Sequence, residues 1–143
     1  MVLSDVVSVF ALLVSLGSGA VALRYTRTDT RFAAYDRSTD LFLEVDRLFL
    51  AQPDLRPYFY DGARLAEDDV DRHRVEAAAE LVLDVFEWIW RRQEELSRRD
   101  QEGWRHYILE MLDASPELCT FHHRHPAWHP WVNEILLNRT DKA

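Results

Sequence analysis

The chain has 143 residues, of which 48% are apolar, enough for one compact domain with its own core. Its formal net charge is −8, and residues 1–27 contain one acid and two bases, so the remainder carries −9. Such an acidic surface is repelled by phosphate, which argues against a nucleic-acid partner. The single cysteine, Cys119, excludes an intrachain disulfide.

The segment from Val6 to Leu23 is a run of 18 residues without a charge. As a helix it would be about 27 Å long, close to the ~30 Å hydrocarbon core of a bilayer. We therefore predict a single transmembrane anchor over residues 1–24 and a soluble domain over residues 25–143. The alternatives are a buried helix and a cleaved signal peptide, but the region before the apolar run has no Lys or Arg and contains Asp5.

The charges that flank this run predict its orientation. Arg24, Arg27 and Arg31 follow it, whereas Asp5 is the only charged side chain before it. Positive charge favours the cytoplasmic side, so we expect a cell-membrane protein with its N-terminus outside and its domain in the cytoplasm.

A stripe of small residues lies on one face of the predicted span, formed by Ala11, Ser15 and Gly19 at intervals of four. Such stripes let two helices approach closely, so a homodimer through the span is possible. Chance is the alternative, since small residues are common in membrane helices.

The first soluble helix is predicted from an N-cap in Thr28–Thr30 to about Ala51, before Pro53. Its apolar residues share one arc of the helical wheel: Phe32, Tyr35, Leu41, Phe42, Val45, Leu48 and Phe49. Residues 53–62 then form a loop with two prolines and three successive aromatic residues. We expect these aromatic side chains to close one end of a helical bundle, the alternative being a ligand-binding lip.

A long helix is predicted from Glu67–Asp69, where acids favour a helix start, to about Arg92. Apolar residues occupy about two thirds of its wheel, which indicates the central helix of the domain. Polar side chains occupy only a narrow strip of this helix: His73, Glu76, Glu80, Asp84, Glu87 and Arg91. Shorter helical segments follow over 100–113, from the cap Ser115-Pro116, and over 131–137. The fold class is therefore all-α, an anchor followed by a bundle of about four helices.

Four segments resemble an uncharacterised family of small bacterial membrane-anchored all-helical proteins. They are PDLRPYFYDG at 53–62, WRHY at 104–107, SPEL at 115–118 and the segment from Trp128 to Trp131. The resemblance covers most of residues 40–135 and implies the same layout of anchor and bundle. It implies no activity, so no functional residue is transferred from it.

Four histidines near the C-terminus, His122, His123, His125 and His129, are candidate metal ligands. Pro126 separates the last two, so they do not form an i, i+4 pair on one helix, and no zinc motif accompanies them. We favour a solvated helix end over a metal site, and we expect no cofactor.

Asp46 lies within the apolar arc of the first soluble helix, and Arg74 lies within that of the central helix. An unpaired buried carboxylate costs several kcal/mol. We therefore predict a buried ion pair between Asp46 and Arg74, with Arg56 as the second choice of partner.

The width of the apolar face on the central helix raises the possibility that Phe86 and Trp90 stay exposed. Together with Arg91 and Arg92 they would form a partner surface or a membrane-interface anchor. Burial of the two aromatic side chains is the alternative.

The chain contains no glycine-rich phosphate loop, no G-x-S-x-G and no metalloprotease motif. The leading hypothesis is therefore a non-enzymatic, membrane-tethered interaction module: an adaptor, scaffold or regulatory subunit. One alternative is a metalloprotein or enzyme that uses the histidine cluster, and another is a membrane-active, toxin-like protein.

Overall fold

The computed structural model describes residues 26, 29–30, 32–66 and 68–140, with side chains to residue 136. This part of the chain is all-helical and contains no strand, which confirms the predicted class. Its helices are α1 (32–51), α2 (Pro57–Tyr60), α3 (Arg72–Arg91), α4 (Arg98–Ala114), α5 (Pro116–Arg124) and α6 (Trp131–Thr140). Six helices exceed the predicted four because α2 is a single turn within the proline-rich loop and because the two short segments predicted near the C-terminus form separate helices, α5 and α6.

The predicted span, residues 6–23, and its stripe of Ala11, Ser15 and Gly19 lie outside the described residues. Among the helices that the structure does describe, none is long and apolar enough to cross a bilayer.

Helix α1 buries one side, formed by Ala34, Ser38, Val45 and Phe49. The Ser38 hydroxyl is satisfied within the helix, because it donates to the Ala34 carbonyl at 2.8 Å. The N-cap predicted in 28–30 is wrong, since residues 26, 29 and 30 are already helical. The Thr30 hydroxyl donates to the carbonyl of Thr26 instead of capping.

The loop after α1 is more regular than the sequence suggested. Pro53–Leu55 forms a 3-10 turn and the second proline starts α2, since proline is accommodated at the first position of a helix. Leu55 and Phe59 are fully buried in the common core. The loop therefore contributes core side chains, and α2 packs against α4 and α5.

Helix α3 is the central helix, in contact with both α4 and α5. Its buried residues share an arc of about 160° of the helical wheel: Val75, Ala78, Ala79, Val82, Leu83, Val85, Phe86 and Ile89. It begins at Arg72 and not at Glu67–Asp69, so Val70 lies outside the helix and is 91% exposed.

Serine residues cap the next two helices. The Ser97 side chain accepts a hydrogen bond from the Asp100 amide at the start of α4, and Ser115 accepts one from the Leu118 amide at the start of α5. The Ser115 hydroxyl also donates to the Tyr58 carbonyl at 2.8 Å. One buried serine therefore caps α5 and also holds residues 53–62, the aromatic loop, against it.

Candidate functional site

The four C-terminal histidines do not converge on one point. His122 Nε2 lies 3.2 Å from Asn133 Oδ1, and His123 Nδ1 donates to the carbonyl of Cys119 at 2.7 Å. His125 stacks on the Trp128 ring at 4.2 Å between centroids. Their contacts lead to different neighbours, so the structure gives no support to a metal site made of these four side chains.

His129 instead meets two carboxylates of the central helix. Its Nδ1 lies 3.0 Å from Glu87 Oε2, and its Nε2 lies 3.9 Å from Asp84 Oδ1. One ligand atom from each of the three residues lies within 4.8 Å of the others. Helix α3 places Asp84 and Glu87 on one face by their i, i+3 spacing, and the turn between α5 and α6 presents the imidazole.

The burial of the three residues differs. His129 is only 2% exposed, Glu87 is mostly buried and Asp84 is open to solvent. The sequence placed both acids on the solvated strip of α3 and did not connect them to His129. Their i, i+3 spacing was the available signal, but nothing in the sequence indicated that a residue more than 40 positions later would pack against it.

The predicted pair of Asp46 and Arg74 is wrong. Asp46 is exposed, because α1 is rotated on the bundle toward Ala34 and Ser38. Arg74 binds Asp71 at 2.5 Å and Asp54 at 2.8 Å on the surface, and these hydrogen bonds raise the pKa of its guanidinium. Arg56, the second choice, lines the same groove as Asp46 but forms no ion pair with it.

The surface predicted around Phe86 and Trp90 is wrong for Phe86, which is fully buried. Trp90 is half-buried against Trp131 of α6, at 6.4 Å between ring centroids. Both arginines are exposed: Arg91 pairs with Glu87 at 2.6 Å, and Arg92 lies over the Trp88 ring. The C-terminal helix therefore covers part of the face that was expected to be free.

A different apolar surface is exposed on α1, and we call Phe32, Leu43 and Leu50 the α1 stripe. Their exposed fractions are 66%, 43% and 82%. At 100° per residue the three lie within about 20° of one another, on the side of the helix opposite its buried face. The stripe runs nearly the whole length of the described helix.

Two grooves border the same helix. One of about 390 Å³ lies between α1 and α4 and includes Phe42, Trp104 and Tyr107. The other, of about 240 Å³, lies near the end of α1 and includes Asp46, Leu50 and the loop residues Arg56 and Tyr60. Of the α1 stripe, Leu50 lines the second groove, whereas Phe32 and Leu43 lie outside both.

The Tyr60 and Tyr107 hydroxyls lie 3.0 Å apart and join the aromatic loop to α4. Burial, followed by the bond to Tyr60, raises the pKa of Tyr107 well above its usual value of 10. A neutral phenol is suited to a structural hydrogen bond and is a poor base near neutral pH. The hydrogen bond therefore has a structural role and links Tyr107, which lines the first groove, to Tyr60, which lines the second.

Cys119 has no feature of a nucleophile. Its thiol donates to the Leu112 carbonyl at 3.4 Å, and burial, with Asp113 nearby, raises its pKa. The adjacent His123 binds the backbone carbonyl of Cys119 and not its thiol. No cysteine–histidine catalytic pair is formed here.

Comparisons of the chain with protein families, with curated proteins and with solved structures find no match. No functional residue can therefore be assigned by similarity.

Proposed function

We propose that this protein is a non-enzymatic, membrane-tethered interaction module whose docking surface is the α1 stripe. The observation that carries the proposal is the position of Phe32, Leu43 and Leu50, which lie exposed and aligned opposite the core. A single exposed leucine needs no explanation, but an aligned set along one helix is typical of a helix-binding surface.

The charges around the stripe select the kind of partner. Asp36 and Asp46 flank it about 40° to either side on the wheel, and Asp40 lies farther out. The nearest base, Arg47, is paired with Glu44 of the same helix. We infer that the occupant is an amphipathic helix of another protein with basic side chains beside its apolar face.

A second copy of this chain fits the stripe poorly. Spacings of four and three residues place Asp36 and Asp46 in the same seam as Leu43 and Leu50, so a parallel pair would oppose like charges. The acidic rim also disfavours anionic lipid headgroups. Pairing through Ala11, Ser15 and Gly19 of the span is a separate proposal that does not involve this surface.

The apolar run at residues 6–23 would attach the protein to the membrane. Since α1 follows this run in sequence, the anchor would hold the stripe near the cytoplasmic leaflet. We expect full-length protein to sediment with membranes after cell lysis and ultracentrifugation, and to resist extraction by alkaline carbonate. Intact protein in the supernatant would contradict the tether.

The docking surface is tested by peptide binding. Full-length protein in phosphatidylcholine nanodiscs is titrated with two labelled helical peptides that share leucine positions but carry lysine or glutamate beside them, and fluorescence anisotropy is recorded. We expect the lysine peptide to bind at least 10-fold more tightly, and the variant L43R/L50R to lose at least 10-fold of that affinity, because it removes apolar contact and adds like charge.

The matched control is Val70→Arg, which makes the same kind of change at an exposed apolar residue outside the stripe. It should bind the lysine peptide as the wild type does. Equal affinity for the two peptides, or equal loss in L43R/L50R and V70R, would reject the α1 stripe as the docking surface.

A further inference from the structure

The geometry points to a binding site for a divalent transition-metal ion, such as Zn²⁺, between Asp84 and His129. In this site the Asp84 carboxylate and His129 Nε2 are direct ligands, and Glu87 positions the imidazole. The site is independent of the α1 stripe and uses only one of the four histidines that the sequence suggested.

The contacts of Glu87 determine which imidazole nitrogen is free. Its Oε1 accepts hydrogen bonds from Arg91, at 2.7 Å from Nε and 2.6 Å from Nη2. Its Oε2 lies 3.0 Å from His129 Nδ1, and a carboxylate can only accept, so Nδ1 carries a proton and donates it. Carboxylates hold metal-binding histidines in this way, with the other nitrogen directed at the ion.

The other imidazole nitrogen of His129, Nε2, lacks a hydrogen-bond partner among the described residues. It is buried, although buried polar atoms are normally satisfied. Its nearest charged neighbour, Asp84 Oδ1 at 3.9 Å, is also an acceptor and too distant for a hydrogen bond. With a neutral imidazole, Nε2 and Asp84 Oδ1 are both acceptors, and a cation between them would satisfy both.

A metal ion has the size for that gap. Zn²⁺ binds imidazole nitrogen and carboxylate oxygen at roughly 2.0–2.2 Å, so two of its tetrahedral ligands lie about 3.4 Å apart, and a small rotation of the exposed Asp84 side chain would bring Oδ1 from 3.9 Å to that distance. One nitrogen and one oxygen suit zinc and similar transition metals, whereas Mg²⁺ and Ca²⁺ prefer oxygen alone. Because Asp84 is exposed, water can supply the remaining ligands of the ion on that side.

Binding would join the central helix to the turn before α6. Asp84 belongs to α3, and His129 lies just before Trp131, the first residue of α6. An ion that binds the folded state alone stabilises it in proportion to the logarithm of its concentration. Zn²⁺ binding can therefore be measured as a change in thermal stability, independently of any activity.

The test uses full-length protein in mild detergent, stripped with EDTA and titrated with Zn²⁺ against a chromophoric chelator, with thermal unfolding recorded in parallel. We expect one Zn²⁺ per chain and a higher Tm with Zn²⁺ but not with Mg²⁺. His129→Gln should abolish binding, Asp84→Asn should weaken it at least 10-fold, and Glu87→Gln should weaken it 10- to 100-fold.

Asp84→Asn is the decisive variant, since Asp84 is exposed and its change should leave the fold intact, whereas His129 is buried. Glu80→Gln removes a charge one turn earlier on α3, and His123→Gln removes an exposed histidine, so both should bind Zn²⁺ like the wild type. Absence of stoichiometric binding would indicate that His129 is only an imidazolium held by two acids. That result, or equal affinity in D84N and E80Q, would overturn the proposal.

Discussion

Phe86→Ala is expected to lower the free energy of unfolding by about 3–5 kcal/mol, the usual cost of removing a buried phenyl ring from a core. Phe86 has no exposed surface and packs edge-on against Tyr107, at 6.1 Å between ring centroids. The change leaves a cavity where the central helix meets α4. Urea unfolding followed by circular dichroism measures the difference.

Phe32→Ala is the matched control, because it deletes the same atoms from a side chain that is 66% exposed. Its effect on stability should stay within about 0.5 kcal/mol. If Phe86 were part of a partner surface, the two variants would have similar stability and F86A would lose binding instead. A loss below 1 kcal/mol in F86A would contradict its place in the core.

The contrast between these two phenylalanines indicates what the helical period can predict. It correctly gave α1 and α3 as amphipathic helices, since apolar side chains recur along them at helical spacing. It could not give the rotation of α1, whose apolar arc is wider than the face that its neighbours cover. Phe32 therefore lies outside, and Asp46, placed within the arc, is exposed.

Local chemistry predicted some of the helix boundaries. Pro53 follows the end of α1, and Ser115 with Pro116 begins α5, because caps and prolines act within a few residues. Contacts between elements distant in sequence could not be predicted in this way. Glu87 contacts His129 because α5 packs against α3. The candidate metal site depends on such a contact, so the spacing of the four histidines along the chain gave no indication of Asp84 and Glu87.

Ser115→Ala is expected to lower the free energy of unfolding by about 2 kcal/mol, more than loss of an N-cap alone. The cap contributes about 1 kcal/mol. The second contribution, also about 1 kcal/mol, comes from the hydrogen bond that the hydroxyl donates to the Tyr58 carbonyl, which would be left without that donor. Chemical denaturation at neutral pH measures the total.

Ser97→Ala separates the two contributions. Ser97 caps α4 through the Asp100 amide, and its hydroxyl is directed at the Asp100 side chain within the same turn, so it fixes no distant segment. Its loss should therefore cost about 1 kcal/mol. The difference between the two variants measures how firmly the aromatic loop is held on α5. Equal costs would mean that the loop is held by its buried side chains, Leu55 and Phe59, and not by Ser115.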